Sequence, residues 1–354
     1  MQQEVRFSSK RFFLTLMLCA CSVILLQNGD VSQSSSFAFN VVCVAVGLFI
    51  CFLMFIPAAV IKRRTDADVF TLLQGRSVSA LRAVAVFYAL YFIYTAEFFL
   101  LPYTDMFCKK YYSDAPPCVI SFLVLAGCVY AAFKGINVIT RFGIFLFAFA
   151  MLTNVLIFGG SLSSLNLANN SFSFEGDPAD FLKNTAYFIT PGFIAVLFAC
   201  LSSYVNGFRL RQTAVSLLLT GVKFICILFF VCFAVGAYAS RQEYQSFVLS
   251  RVAHLGSFAG IESFLTGVST MSVFMITSLV LCCIGKGFGK SKSLPFISFA
   301  AAVIFIIHLA AAYNQSVAMF FTAPLLFDSL TLAAAVIAPV GCYWLIRRSS
   351  REKT

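Results

Sequence analysis

The stretch FITPGFIAVLF, residues 188–198, places Pro191 and Gly192 near the start of a long apolar segment. Proline removes a backbone hydrogen-bond donor and clashes with the preceding turn, while glycine adds conformational freedom. In hydrocarbon every peptide group still needs a hydrogen-bond partner. The pair therefore predicts a break in a membrane helix, beside protein or a polar cavity that satisfies the freed groups. The alternative is an ordinary proline kink, satisfied by a neighbouring helix.

The composition of the whole chain indicates that lipid surrounds most of it. Of the 354 residues 60% are hydrophobic and 11% are charged, and the mean hydropathy is +0.92. Such values predict an all-α polytopic membrane protein, a single transmembrane domain over residues 1–354 with no soluble domain. We expect ten spans, at about 12–27, 37–61, 83–101, 118–133, 138–158, 185–204, 213–238, 258–284, 294–313 and 325–346.

The formal net charge of +11 comes from basic residues that collect in alternate connections between the spans. The richer set comprises Arg6, Lys10, Arg11, Lys62, Arg63, Arg64, Arg76, Arg82, Lys134, Arg141, Arg209, Arg211, Lys286, Lys290, Lys292, Arg347, Arg348, Arg351 and Lys353. The opposite connections carry only Lys109, Lys110, Lys183, Arg241 and Arg251. The positive-inside rule therefore places both termini in the cytoplasm. The charge is a topology signal, and we expect no nucleic-acid partner.

A long external segment at about 160–184 divides the chain into two groups of five spans. Because five is odd, two similar units in tandem must enter the membrane in opposite orientations, as in LeuT-like inverted repeats. We expect repeat one at about 11–159 and repeat two at about 185–347. In such transporters the substrate lies near the midplane, on helices that are interrupted there.

The first span of each repeat is the predicted site of interruption. The first span of the chain is the shortest, stops at QNGD (27–30), and carries the small residues Ala20, Cys21 and Ser22. Its counterpart carries the break described above. We expect unwound backbone in both spans to bind the charged groups of a small zwitterion. The candidate ligand-binding residues here are Ala20, Cys21, Ser22, Thr190, Pro191, Gly192 and Phe193.

Four further candidates lie in the third and eighth spans. Tyr94 and Glu97 lie one turn apart in the outer part of the third span, so they are candidate cavity residues. Otherwise the tyrosine belongs to an interfacial belt, and the glutamate reaches the outer boundary. Ser269 and Thr270 lie about two turns into the eighth span. They either face the cavity or hydrogen-bond back to their own helix.

Lys223 is the deepest charge in the sequence, about ten residues into the seventh span. Intramembrane charges are costly, which makes it a candidate for ion coupling, although its long stem could also snorkel. His308 stands alone in an apolar helix and His254 lies in a loop, so we expect no metal site and no cofactor. The paired carboxylates Asp66 and Asp68 are explained by basic neighbours and a helix start. No catalytic set is recognisable, so we expect no enzyme.

Two remaining features have structural interpretations. Cys108 and Cys118 share an external loop and could pair, although two thiols are the simpler expectation. Glu262 and Asp328 stand at the starts of spans, where capping or pairing is expected; for Glu262 the expected partner is Arg251.

Three segments resemble the spore germination permeases, the membrane B subunits of germinant receptors. AAFKGINVITRFGIFLF (131–147) resembles the start of that family's fifth helix, with Gly135 and Arg141 in its glycine–arginine pattern. ITPGFIAVLFACLSSYVNGFRLRQ (189–212) stands at the place of its sixth helix. SFVLSRVAHLGSFAGIESFLTGVSTMSVF (246–274) resembles the pattern that leads into its eighth helix, with Arg251, Gly256 and Glu262 in matching places. The glycine and downstream proline usual in the family's first helix are missing.

The resemblance implies an amino acid/polyamine/organocation transporter-like fold in the inner membrane of a bacterial endospore. It implies that the chain binds a small nutrient germinant such as an amino acid, and signals to an A subunit and a lipoprotein C subunit. One alternative is a proton- or sodium-coupled amino-acid transporter. A second is a membrane scaffold subunit that binds no nutrient.

Overall fold

A computed structural model describes residues 7–26, 36–74, 77–111, 116–169, 174, 176–242, 244–254, 261–288 and 294–351. Predictions that rest on Arg6, residues 27–30, Arg76, Gly256, Lys290, Lys292 and Lys353 lie outside this described part.

Within the described residues, ten helical segments are long and apolar enough to cross a bilayer. The predicted all-α polytopic architecture with ten spans is therefore confirmed. Numbered from the N-terminus, spans 1 to 10 are Ser9–Leu26, Phe37–Thr65, Val78–Tyr111, Pro117–Lys134, Ile136–Ser164, Pro178–Tyr204, Leu210–Val235, Glu262–Gly287, Leu294–Tyr313 and Pro324–Leu345. The inverted relation of the two halves and the side on which the termini lie stay predictions.

Several spans contain local departures from the α-helix. Span 5 is α-helical over Ile136–Ser161 and ends in the 3-10 turn Leu162–Ser164. Span 7 is α-helical over Leu210–Phe230 and ends in a π turn at Val231–Val235. Span 10 consists of Pro324–Leu332, a π turn and the helix Ala338–Arg351. Because the backbone groups stay within helical hydrogen-bond patterns, these segments remain compatible with a lipid environment.

Short elements connect the spans or, in the case of Ser202–Tyr204, form the last turn of span 6. Three short helices, three further 3-10 turns and two strands are described: Val69–Leu73, Gln245–Val252, Gln315–Phe321, Leu167–Asn169, Ser202–Tyr204, Gly236–Arg241, Phe7–Ser8 and Val205–Asn206. The strands pair in parallel, with Phe7 opposite Val205 and Ser8 opposite Asn206. They tie the segment before span 1 to the segment after span 6.

Burial separates the central spans from the peripheral ones. The most apolar window of span 6 is 94% buried, whereas those of spans 4 and 5 are 28% buried. The peripheral spans expose large apolar side chains such as Phe122, Leu123 and Phe299, as expected for a lipid-facing surface. Spans 1, 3, 6 and 8 therefore form the core, as the transporter-like prediction requires.

The predicted interruption of span 1 at Ala20, Cys21 and Ser22 is wrong. Ser9–Leu26 is one continuous α-helix, and all three residues are buried within it. The physical reason is local: the helix contains neither glycine nor proline, and the Ser22 hydroxyl donates back to the Leu18 carbonyl oxygen at 2.8 Å. The small residues allow close helix packing and do not unwind the backbone.

The predicted break in span 6 takes the form of one tight turn. The helices Pro178–Ile189 and Phe193–Leu201 flank a 3-10 turn at Thr190–Gly192. The thiol of Cys51, on span 2, donates to the Ile189 carbonyl oxygen at 3.3 Å and also faces that of Phe188. A neighbouring helix therefore satisfies the backbone hydrogen bonding beside Pro191. This is the ordinary proline kink predicted as the alternative, and not an unwound segment.

Candidate functional site

A cavity of about 690 Å³ lies at the end of the bundle where spans 3 and 9 finish and spans 4, 6 and 10 begin. The charge pattern of the sequence predicts that this is the external end. Both apolar and polar side chains line its walls. They are Phe98, Leu101, Pro102, Thr104, Asp105, Pro117, Tyr187, Ala311, Ala312, Tyr313, Gln315, Ala318, Thr322 and Pro324.

An aromatic cluster centred on Phe327 adjoins this outer cavity through Phe98. Phe98, which lines the cavity, stacks on Phe327 with ring centroids 4.0 Å apart. Tyr94 stacks on Phe327 at 6.1 Å and Phe193 meets its ring edge-on at 6.4 Å. The Tyr94 hydroxyl donates to the Phe320 carbonyl oxygen at 2.9 Å, which ties span 3 to the short helix Gln315–Phe321. Two predicted site residues, Tyr94 and Phe193, thus contact the same ring, that of Phe327.

Glu97 and His308 form a fully buried pair beside the same cavity. The Nδ1 atom of His308 lies 3.1 Å from Oε2 of Glu97, and its Nε2 atom lies 3.3 Å from Oγ1 of Thr104. The expectation that His308 has no acidic partner is therefore wrong. The two residues are 211 positions apart in the chain, so no local spacing could have indicated the contact. Glu97 also lies inside the bundle and not at its outer boundary.

Asp328 lies against the tight turn of span 6. The Thr190 hydroxyl donates to its Oδ1 atom at 3.2 Å, while Oδ2 is buried and has no hydrogen-bond partner among the described residues. The predicted residue Thr190 thus contacts a carboxyl group of span 10. Gly192 allows a second close approach here, because an added Cβ would lie 2.6 Å from the sulfur of Met54.

The opposite end of the bundle is closed by a buried polar cluster, which we call the inner lock: Asp68, Ser203 and Lys286 with the ring of Tyr204. Lys286 donates to Oδ2 of Asp68 and, at 2.6 Å, to the hydroxyl oxygen of Ser203. Ser203 donates to the same carboxylate at 2.6 Å. The Lys286 ammonium also lies 4.1 Å from the centroid of the Tyr204 ring.

Local sequence explains how the inner lock is assembled. Asp68 caps the helix Val69–Leu73 through a capping box with Thr71, so one carboxylate oxygen binds the helix start and the other faces Lys286. The expected helix start near Asp66 and Asp68 is confirmed; Asp68 is the cap, and Asp66 pairs with Lys62 at 2.6 Å. The paired strands and a hydrogen bond from Ser9 to Gln212 close the same end.

Span 1 and Lys223 form a separate region. The Cys21 thiol lies 3.8 Å from the Thr220 hydroxyl on span 7, one turn from Lys223. Lys223 is buried, and within the described part of the chain no carboxylate forms an ion pair with it. Neither Lys223 nor any of the predicted ligand-binding residues is among the residues that line the outer cavity, so their roles in coupling and binding stay predictions.

Ser269 and Thr270, the two candidates of span 8, hydrogen-bond back to their own helix. Ser269 donates to the Leu265 carbonyl oxygen at 2.9 Å, and Thr270 donates to that of Thr266 at 2.8 Å. The Thr270 hydroxyl also meets the Tyr103 hydroxyl at 3.0 Å. These back-bonded hydroxyls join spans 3 and 8, and their predicted ligand contacts stay predictions.

The expected pairing of Arg251 with Glu262 is confirmed, with Nε and Oε2 2.5 Å apart. The hydrogen bond to this carboxylate raises the pKa of Arg251 above its ordinary value. Cys108 and Cys118 do not form a disulfide. Among the residues that the structure describes, no group of three His, Cys, Asp or Glu side chains could hold a metal ion.

Comparisons with known proteins identify the family and the fold. The model of the spore germination protein family matches residues 6–317. A Na⁺-coupled sialic acid symporter, solved in a substrate-bound outward-open state, has a TM-score of 0.63 and 13% identity over 94% of this chain and 80% of that chain. Its LeuT-type fold is shared by this chain. A search of curated proteins finds no match. The family match covers most of the chain, which therefore belongs to the spore germination protein family.

Proposed function

We propose that this protein is a germinant receptor B subunit that binds a small nutrient, such as an amino acid, in the outer cavity. The observation that carries the proposal is the contrast between an open cavity at one end of the bundle and a closed inner lock at the other. This arrangement would admit a ligand from one side only. Pockets of a few hundred Å³ are typical of small-molecule sites.

The lining of the cavity suits an amphipathic ligand. Asp105 offers a carboxylate, held by the Tyr244 hydroxyl at 2.8 Å and by Lys109 at 3.0 Å. Such a group favours a ligand ammonium. Gln315 and Thr104 offer neutral polar groups, and Phe98 offers an aromatic surface for an apolar side chain. A zwitterion with a small apolar side chain would match this combination.

The proposed signal is a shift between two conformations of the bundle. A ligand shifts such an equilibrium only by binding one state more tightly than the other. The short helix Gln315–Phe321 is suited to respond, since it contributes to the cavity wall and is tied to Tyr94 on span 3. The inner lock is the element whose opening would change the surface available to the A and C subunits.

The family supports the remaining parts of the proposal. We place the protein in the inner membrane of an endospore, with an A subunit and a lipoprotein C subunit as partners. It acts by binding and conformational change, without catalysing a reaction.

The test fills the cavity and follows nutrient binding. The purified protein is screened by thermal shift against individual amino acids and glucose, and the screen is repeated with Ala312→Trp and Ala310→Trp. Ala312 lines the cavity, whereas Ala310 is exposed on the same helix. We expect a nutrient-dependent rise in melting temperature in the parent protein and in Ala310→Trp, and its loss in Ala312→Trp.

Two outcomes would contradict the proposal. A thermal shift that survives in Ala312→Trp would place the nutrient elsewhere. The absence of any shift, together with normal germination of spores that carry Ala312→Trp, would favour the scaffold alternative.

The second candidate function is secondary transport, favoured by the fold shared with a symporter. Uptake of radiolabelled amino acid into proteoliposomes separates the two. Accumulation that depends on a proton or sodium gradient would indicate a transporter, whereas binding without accumulation would indicate a sensor.

A further inference from the structure

We propose that Glu97, His308 and Thr104 form a proton-binding site in the wall of the outer cavity, whose occupancy is coupled to that of the cavity. Glu97 and Thr104 belong to span 3 and His308 belongs to span 9. Glu97 and His308 are completely buried, and Thr104 is the member that reaches the cavity lining. The site is independent of which nutrient the cavity binds.

The hydrogen-bond network indicates that the trio holds a proton. The Thr104 hydroxyl lies 3.1 Å and 3.0 Å from the carbonyl oxygens of Leu100 and Leu101, so its one hydrogen is directed at its own helix. Thr104 therefore accepts from Nε2–H of His308. With Nε2 protonated, the contact between Nδ1 and Glu97 needs a second proton, located either on the imidazole or on the carboxyl group.

Both proton positions give a trio without net charge. The pair is either carboxylate with imidazolium or carboxylic acid with neutral imidazole, and the two forms differ only in where one proton lies along a 3.1 Å contact. Loss of that proton leaves a carboxylate with a neutral imidazole, which is one uncompensated negative charge inside the bundle. Burial opposes that charge.

The proton-free trio also requires a rearrangement at the cavity wall. The remaining imidazole hydrogen would lie on Nδ1 and point to the carboxylate, which leaves Nε2 as an acceptor. The Thr104 hydroxyl would then turn from the Leu100 and Leu101 carbonyl oxygens and donate to Nε2. The direction of this hydroxyl therefore depends on whether the proton is bound.

The surroundings supply no alternative partner for the pair among the described residues. His308 is the group that acts electrostatically on Glu97. The titratable groups on the elements packed against spans 3 and 9 contact residues other than Glu97 and His308, or lie elsewhere on their helices. On span 4, Cys128 donates to the Phe274 carbonyl oxygen and Lys134 lies over the ring of Tyr130. On span 8, Glu262 pairs with Arg251, and Lys286 belongs to the inner lock. On span 10, Asp328 accepts from Thr190.

Six further groups belong to these surroundings. Asp105, next to Thr104, is bound by Tyr244 and Lys109. Cys282 of span 8 faces the Ala132 carbonyl oxygen, and Cys283 of the same span interacts with Cys200. Cys118 stands in the first turn of span 4, and Cys19 and Cys21 lie on span 1, where Cys21 faces Thr220. The short helix Gln315–Phe321 contains no titratable side chain.

The position of the trio links the proton to the cavity. Phe98 and Leu101 of span 3 and Ala311 and Ala312 of span 9 all line the cavity, and they belong to the two helices that the trio joins. A ligand that changes the separation of spans 3 and 9 must change the contact between Glu97 and His308. By reciprocal linkage, protonation then changes ligand affinity by the same factor.

The test uses the fact that the chain contains two histidines. In a His254→Gln background His308 is the single histidine, and its ring nitrogens can be followed by ¹⁵N NMR in nanodiscs. We expect a single protonation step as the pH is raised, because the trio holds one proton that can leave. Nε2 should be protonated below the step and unprotonated above it.

Two variants separate the trio from an isolated histidine. In Glu97→Gln the imidazole has no carboxylate to stabilise an added proton, so we expect the step to disappear. The control Asp177→Asn removes an exposed carboxyl group and should retain the step. Glu97→Asp keeps the carboxylate at a longer distance from His308, so the step should persist with a changed midpoint; this variant decides if Glu97→Gln does not fold.

Three results would overturn the proposal. The first is an identical step in the parent and in Glu97→Gln, and the second is the absence of any step in the parent. The third is an unchanged midpoint in Glu97→Asp.

Discussion

The two ends of the helix bundle solve the same problem, polar groups in an apolar solvent, in different ways. At the inner end a lysine and an aspartate are buried together, with a serine hydroxyl between them. At the outer end, Glu97 and Asp328 face a histidine and a threonine, and one oxygen of each carboxyl group has no hydrogen-bond partner among the described residues. The hydrogen-bonding groups of the inner lock are satisfied and close their end of the bundle, while the carboxyl groups at the outer end are only partly satisfied and lie near an open cavity.

This difference suggests that the two ends of the bundle have different roles. Buried polar groups with all partners in place fix one arrangement, whereas partly satisfied groups are where a structure can change. We therefore expect the outer end to respond to ligand and proton, and the inner lock to determine how much of that response reaches the opposite end of the bundle.

The largest effect should follow from breaking the inner lock on one side. Lys286→Met leaves the Asp68 carboxylate buried without its cation, and loss of one partner of a buried ion pair costs about 3–5 kcal/mol. We expect a corresponding fall in the free energy of unfolding in detergent. The double variant Asp68→Asn/Lys286→Met removes both charges and keeps a helix cap, so it should regain much of the loss. Equal losses in the single and double variants would contradict the assignment.

A smaller loss should follow from separating spans 2 and 6. A Cβ added at Gly47 would lie 2.6 Å from Cβ and 2.8 Å from the carbonyl carbon of Phe188, and this backbone cannot rotate away. Gly47→Ala should therefore cost up to about 3 kcal/mol, the upper end of typical overpacking effects. Gly159→Ala is the matched control, because no atom lies within 4 Å of its added Cβ. If both variants melt at the parent temperature, spans 2 and 6 do not approach as described.

At the outer end the loss of a single hydrogen bond should matter less. Thr190→Val removes the donor to Asp328 and keeps the side-chain shape, so we expect a loss of about 1–2 kcal/mol, within the range for an unsatisfied buried group. Thr190→Ser should restore the donor and most of the stability. Thermal unfolding of the three proteins checks both expectations. A Thr190→Ser protein no more stable than Thr190→Val would argue against this contact.

Breaking the exposed ion pair should cause the smallest loss of stability, with which the other losses can be compared. Arg251 and Glu262 have side chains that are 53% and 27% exposed. Exposed pairs contribute less than about 1 kcal/mol. Glu262→Gln should therefore lower the free energy of unfolding far less than Lys286→Met does. A loss as large as that of the inner lock would remove the distinction between buried and exposed pairs.

The sequence predicted features that depend on local chemistry. Ten spans follow from long apolar runs, and the tight turn in span 6 follows from Pro191 and Gly192. Span 1 was predicted wrongly because small residues were interpreted as helix breakers, although Ala20 and Cys21 remain in regular helix. The contact of Glu97 with His308 and that of Asp68 with Lys286 join residues more than two hundred positions apart. Only tertiary packing brings such groups together.

The polar residues whose contacts the sequence interpretation missed share one recognisable property. Glu97, His308 and Asp328 are ionisable groups within or beside apolar spans, where an isolated charge is costly. That cost alone indicates a partner, and it would have justified testing every pair of such residues. What it could not supply is the identity of the partner, which depends on how the spans are arranged.

The most direct test of the central claim is a structure determined by electron cryo-microscopy with the nutrient that gives the largest thermal shift. We expect ligand density in the outer cavity, between Phe98 and Thr104 of span 3 and Ala312 of span 9. Density confined to the surroundings of Ser22 and Lys223, with the outer cavity empty, would contradict it.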